Sequence, residues 1–241
     1  MSRTGAVEFI IDGKTVTGDA SETVLQVAAR YGIRIPTLCH HEALPDEGRC
    51  RLCMVEVKKG KWPKLVTACL YPAESGIEVR TSTPDVDLIR RTILELLWAR
   101  CPSSDVIADM AKKYGVTEPR YTKDTDKGKC ILCGQCIRSC TTVVGVSALC
   151  FGGRGTDKKA TTPFNDASPV CIGCGACAFV CPTGHIFMQD KAGVRNIWGR
   201  KFEMQACPKC GRHHAPIFQL EFISKTTGAD MERLKLCQDC R

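Results

Sequence analysis

Residues 130–140 read CILCGQCIRSC, and residues 171–181 read CIGCGACAFVC. Both are C-x2-C-x2-C-x3-C, so eight of the 18 cysteines in this 241-residue chain sit in one repeated spacing, and the repeat unit is itself a ligand set. Cysteine usage this high means that thiol chemistry organises the protein. The start of the chain, MSRTGAVEFIIDG, has no apolar h-region and no cleavage site, so no secretory signal is visible and a cytoplasmic location is expected. In a reducing compartment, cysteines two residues apart point to metal ligation instead of a disulfide framework.

Three cysteines at two-residue intervals wrap a tight loop around one iron-sulfur cubane but cannot reach its fourth iron, so the fourth ligand comes from the other repeat. The spacing is that of two-cluster bacterial ferredoxins, and Pro182 follows the second run as that pattern requires. It assigns Cys130, Cys133, Cys136 and Cys181 to one [4Fe-4S] cluster and Cys171, Cys174, Cys177 and Cys140 to the other. Gly134, Gly173 and Gly175 let backbone amides approach the inorganic sulfides. Two zinc knuckles are the plainer reading, but zinc does not need a shared eight-cysteine repeat.

Working outward, Cys39, Cys50, Cys53 and Cys69 form C-x10-C-x2-C-x15-C. They lie among predicted strands: a hairpin over 6–18 turning at Asp12-Gly13, a helix capped by Ser21 and stopped at Gly32, then strands near 54–57, 65–68 and 77–81. This order suggests a β-grasp domain over 1–82 holding a [2Fe-2S] cluster, with zinc as the alternative since four thiolates suit either metal. Arg49 and Arg51 either offset cluster charge or lie on a solvated loop face.

Thr83-Pro84-Asp85 opens a helix running to about Arg100, and a second helix follows Ser103 or Ser104 with Val106, Ile107, Met110 and Ala111 on one face. Together they make a helical connector over 83–118. The ferredoxin-like part then occupies 119–200, and 201–241 is a metal-binding tail in which Cys207, Cys210, Cys237 and Cys240 form two knuckles bracketing a helix. A closed S4 set of this kind is read as zinc, with a further [4Fe-4S] cluster as the alternative, and its role is to fold a tail too small for its own core. His213 and His214 are read as surface residues, Cys101 and Cys150 as buried apolar ones. The fold class is α+β.

The composition excludes several functions. The formal charge of +8 suggests nucleic acid, but sixteen thiolates at about −16, with three oxidised cluster cores and one zinc at about +2 each, bring the holoprotein near zero. The longest apolar stretch, near 92–99, is too short to cross a membrane, so no direct membrane insertion is expected. No G-x-G-x-x-G after a strand, no phosphate-binding loop and no nucleophile-base pair occurs, so no catalytic site is expected and the chemistry is one-electron relay.

The first four-cysteine set, the helices and the ferredoxin repeat with CIRSC-TTVVGVSALCFGGRG between its halves resemble, over roughly residues 5–195, a known family. It is the N-terminal part of the large iron-sulfur subunit of respiratory complex I, together with the diaphorase iron-sulfur subunit of NAD-reducing hydrogenases and formate dehydrogenases. The resemblance implies a subunit relaying single electrons between a flavin- or NAD(P)-linked subunit and a partner redox subunit. A free-standing multi-cluster carrier is the alternative. Many members bind an additional cubane through one His and three Cys in the connector, whereas residues 70–129 hold only Cys101 and no histidine, so that cluster is expected to be absent. The tail sequence LKLCQDCR resembles ferredoxin-like subunits of hydrogenase and formate-linked complexes and hints at a different, electron-bifurcating assembly.

Overall fold

In the computed structural model, residues 5–124 and 128–241 are described, and they divide into two compact units, 1–134 and 135–241.

The first unit opens with the hairpin β1 (Ala6–Ile11) and β2 (Lys14–Asp19). Asp12 and Gly13 form its two-residue turn, both with positive φ, which matches the twist of the strands they join. Helix α1 (Val24–Arg30) is capped by Thr23, not by the expected Ser21. Thr23 makes a reciprocal capping box: its Oγ1 accepts from the Gln26 amide at 3.3 Å, and its own amide donates to Gln26 Oε1 at 2.8 Å. Ser21 is held two residues earlier by Asp19 Oδ1, to which its amide donates at 2.8 Å.

Strands β3 (Met54–Lys58), β4 (Pro63–Thr67) and β5 (Glu78–Arg80) complete a five-stranded sheet ordered β2-β1-β5-β3-β4. The β1–β5 pair is parallel and the other pairs antiparallel. One face of the sheet buries Phe9, Ile11, Val16, Val55 and Val79 against Val24 and Val27 of α1.

Helix α2 (Pro84–Arg100) begins where Thr83 Oγ1 accepts from the Val86 amide. Helix α3 (Asp105–Lys113) starts after Ser104 and buries Ile107 and Ala111, one turn apart, while Val106 faces solvent. These helices are more than a connector: Leu94, Ile107 and Ala111 pack in one cluster with Leu38, Cys39, Cys50, Leu52 and Cys101. They thus form a wall of the first cysteine set. Among the described residues, no helix is long and apolar enough to cross a membrane.

In the second unit, α4 (Gln135–Arg138) runs into a π turn at Ser139–Val143, and β6 (Cys150–Gly152) pairs with β7 (Lys159–Thr161). The short α5 (Ala176–Phe179) carries Cys177. Strands β8 (Met188–Lys191), β9 (Val194–Ile197), β10 (Arg200–Ala206) and β11 (His213–Pro216) form an antiparallel sheet in the order β11-β10-β9-β8. The residue pair 200/201, where the sequence suggested a tail beginning, lies inside β10. Helix α6 (Ile217–Thr227) stops at Gly228, which is left-handed, and α7 (Met231–Lys235) is capped by Asp230.

Ile11 is fully buried in the first sheet. Ile11→Ala is expected to destabilise the first unit by about 2–5 kcal/mol, through lost transfer energy and the cavity left behind, read as a lower denaturant midpoint.

Candidate metal centres

Cys39 follows α1, Cys50 and Cys53 sit on the loop entering β3, and Cys69 lies just beyond β4, so the sheet brings all four to one end. All are buried. The sulfurs of Cys53 and Cys69 stand 3.4 Å apart, and the Cys50 amide lies 3.4 Å from the Cys39 sulfur. The Cys39 thiol, donating to Cys50, pulls the Cys50 pKa down to about 7. Backbone amides converge on the set, from Arg49 and Cys50 to Cys39 and from Leu38 and Leu52 to Cys50.

The loop turns inward because Arg51 adopts φ 58° and Gly48 φ 61°, and a Cβ on Gly48 would lie 2.6 Å from Leu70 Cδ1. Of the two arginines considered for charge compensation, Arg49 pairs with Glu47 and both are exposed, which places them on the solvated face.

In the second unit Cys140, Cys171, Cys174 and Cys177 line one small cavity, closed by Leu149, Ile197 and Trp198. Trp198 Nε1 donates to Cys177 Sγ at 3.3 Å, and the Ala148 amide to Cys140 Sγ at 3.2 Å. Burial in these apolar walls pushes the Cys177 thiol up to about 11, so ionising it calls for a cation in the cavity. The loop needs glycine twice. Gly173 (φ 70°) has the Phe202 ring 2.7 Å from where a Cβ would be, and Gly175 (φ 80°) has Met188 Sδ at 2.6 Å. In the first repeat, Leu132 (φ 55°) and Gly134 (φ 74°) repeat this backbone pattern at the matching positions.

The remaining repeat cysteines are held locally. Arg100 Nε donates to the Cys130 carbonyl at 3.2 Å, and Cys133 packs with Ile131 in the α2–α3 cluster. Cys136 lies on α4, and Cys181 Sγ accepts from the His185 amide at 3.3 Å.

At the C-terminus the sulfurs of Cys207, Cys210, Cys237 and Cys240 all lie within 4.8 Å of one another, with Cys210 and Cys237 at 3.6 Å. The Cys237 amide, donating to Cys207 Sγ at 3.4 Å, is the first cause holding the Cys207 thiol down at about 6. Arg212 joins the knuckles through Asp239 at 2.6 Å and through the Cys237 sulfur. His214 Nε2 meets the Lys235 carbonyl at 3.0 Å and His213 is exposed, so neither joins the sulfur cluster. Cys101 is fully buried, donates to the Leu97 carbonyl at 2.7 Å and is pushed up to about 12 by burial, whereas Cys150 is half-buried at the start of β6.

Residues 4–84 match the family described as 2Fe-2S iron-sulfur cluster binding domain. This first stretch of the chain is thus similar to 2Fe-2S domains. The similarity extends beyond it. The chain is 33% identical over 230 residues to an NADH-quinone oxidoreductase subunit of Rhizobium meliloti, covering 85% of this chain and 27% of that protein. It is 31% identical over 243 residues to NADPH-Fe(3+) oxidoreductase subunit alpha of Geobacter sulfurreducens, covering 91% and 28%. Among solved structures it resembles a chain of NAD+-reducing [NiFe]-hydrogenase in the H2-reduced state, with TM-score 0.57, 28% identity, and coverage of 65% of this chain and 74% of that one. The chain thus spans about a quarter of the length of these curated relatives.

Four arginines escaped the sequence reading: Arg90, Arg100, Arg195 and Arg200, whose guanidinium groups reach carbonyls of the cysteine loops. No sequence signal separates them from the other cations, because their partners are backbone oxygens.

Gly173→Ala is expected to lower bound iron by about four per chain, through strain at positive φ and collision with Phe202, and to leave the 2Fe-2S domain's own EPR signal in place.

Proposed function

We propose that the chain is an electron-transfer subunit of a multi-subunit oxidoreductase, relaying single electrons between a flavin- or NAD(P)-linked subunit and a partner redox subunit. The supporting observation is the buried set Cys39, Cys50, Cys53 and Cys69 gathered at one end of the sheet, within a stretch that matches 2Fe-2S domains, in a chain similar to oxidoreductase subunits. A [2Fe-2S] core takes two thiolates on each iron, and we assign Cys53 and Cys69, whose sulfurs are 3.4 Å apart, to one iron and Cys39 and Cys50 to the other. The mixed sheet with α1 across its face is read as a β-grasp scaffold.

Two [4Fe-4S] clusters complete the relay, one held by Cys140, Cys171, Cys174 and Cys177, which share a cavity, and the other by Cys130, Cys133, Cys136 and Cys181. When bound, the clusters supply one-electron redox chemistry. The chain's part is to bury their thiolates, exclude water from them and aim amide and indole N–H groups at the sulfurs, which favours the reduced, more negative state.

The tail is read as a zinc site. A zinc ion at about 2.3 Å from four sulfurs sets them about 3.8 Å apart, close to the Cys210–Cys237 separation and inside the 4.8 Å envelope. Thiolates on the corners of a cubane stand farther apart. Zinc has no redox role, so the tail is a structural clip that closes β10, β11 and α6 around the two knuckles. The expected partners are flavin-containing and other redox subunits, in a hydrogenase, formate dehydrogenase or electron-bifurcating type of complex in the cytoplasm.

Anaerobically purified protein is expected to carry about ten iron and one zinc per chain, with one [2Fe-2S] and two [4Fe-4S] signals during stepwise EPR-monitored reduction. About fourteen iron without zinc overturns the structural role of the tail. Behaviour as a free monomer in native lysate, without a flavoprotein partner, favours the soluble-carrier alternative.

A further inference from the structure

The loops that carry the cysteines have a shared difficulty. Amides turned toward the sulfurs leave the carbonyls of the same peptides pointing away, and those carbonyls need donors of their own. At two of the loops, in two different folds, an arginine from a later element supplies them.

Arg90 projects from α2 and is 3% exposed. Its Nε donates to the Leu52 carbonyl at 3.1 Å and its Nη2 to the Met54 carbonyl at 2.7 Å, so the guanidinium straddles Cys53. The Leu52 carbonyl belongs to the peptide that enters Cys53, so the guanidinium fixes the backbone at that ligand. Asp87, the acid beside Arg90, is 3.8 Å away and much more exposed.

Arg195 projects from β9 and repeats the arrangement. Its Nη1 donates to the Gly173 carbonyl at 3.1 Å and the Cys174 carbonyl at 3.2 Å, while Nε and Nη2 grip both Asp190 oxygens at 2.7 Å. The Gly173 carbonyl belongs to the peptide that enters Cys174 and the Cys174 carbonyl to the one that leaves it, so the guanidinium fixes the backbone on both sides of that ligand. One strand further, Arg200 Nη1 holds the Ser168, Pro169 and Cys171 carbonyls at 2.7–2.9 Å, with its guanidinium over the Phe202 ring.

We propose that Arg90 and Arg195 are positioning residues that each act on one cysteine loop through its backbone: the guanidinium pins the carbonyls around one ligand, Cys53 or Cys174, and so fixes where that sulfur stands and sets a buried cation beside it. Hydrogen bonds from a cationic donor are the strong ones, and here they hold the backbone that carries the sulfur. A buried guanidinium is costly unless a negative charge lies near it; Asp190 supplies one to Arg195, and at Arg90, whose neighbour Asp87 is 3.8 Å away and exposed, a reduced cluster on four thiolates would supply it. Each arginine therefore raises the potential of its own centre. This rests on the reading of Cys39, Cys50, Cys53 and Cys69, and of Cys140, Cys171, Cys174 and Cys177, as cluster ligands.

The test is an EPR-monitored redox titration of the full-length, anaerobically purified protein, comparing wild type with Arg90→Lys, Arg90→Gln, Arg195→Lys and Arg195→Gln. Both Arg90 variants are expected to shift the [2Fe-2S] midpoint to lower potential with the cubane midpoints unchanged. Lysine should shift it less, because it keeps the charge but loses the two-pronged grip. The Arg195 variants are expected to lower one [4Fe-4S] midpoint and leave the [2Fe-2S] signal alone. If the lysine variants load full iron and keep wild-type midpoints and line shapes, the arginines are packing groups only and the proposal fails. A wild-type chain with no [2Fe-2S] signal instead sinks the ligand reading itself, and it does so before any variant is measured.

Discussion

A thiolate buried against metal sets the terms for everything around it. Negative sulfur in an apolar enclosure needs positive partners, and the nearest ones a chain can supply without bulk are its own backbone N–H groups. Aiming several amides at one point forces the backbone through left-handed conformations, which Arg51, Leu132, Gly134, Gly173 and Gly175 all adopt. The same turn throws the carbonyls outward, where Arg90, Arg195 and Arg200 meet them. The glycines, the strained non-glycine turns and the inward-reaching arginines are three consequences of one requirement.

The helices after the first sheet follow from that requirement as well. Spacing and capping alone describe α2 and α3 as a rod between two metal-bearing parts. In the structure α2 delivers Arg90 to the Cys50–Cys53 loop, and α2 and α3 together bury Leu52, Cys39 and Cys50 in one apolar cluster. A cluster loop has little apolar surface of its own, so the water exclusion it needs comes from a neighbour with a broad apolar face. That explains why Leu94, Ile107 and Ala111 are spent on the cysteine loops and not on a separate bundle core.

What could be read from the sequence was whatever is local or periodic. Asp12-Gly13 between alternating strands and Thr83-Pro84-Asp85 before an apolar run encode their structures within a few residues, and both formed where expected. The cysteine spacings likewise carry loop geometry in themselves. The misplaced cap at Ser21 is a failure of local competition: Ser21 and Thr23 both suit a cap, but only Thr23 has a glutamine three residues on to return the hydrogen bond. The strand that crosses 200/201 was hidden for a different reason. Its ladder partners on both sides are other strands, and pairing of that kind leaves no mark in the single segment.

The arginines stand at the far end of this scale. A salt bridge has two charged ends, and each can be suspected from the sequence. A guanidinium on a backbone carbonyl has one visible end, because every residue owns the other. Second-sphere control through peptides is therefore the part of an iron-sulfur site least legible from composition, even when every ligand can be named. It is also the part able to distinguish clusters that share a ligand pattern. Cys174 and Cys133 occupy the same position in identical spacings, yet the carbonyl before Cys174 is held by Arg195, which comes from a sheet that follows only the second repeat. Identical motifs can then sit at different potentials, with the difference written in strands far from either cysteine run.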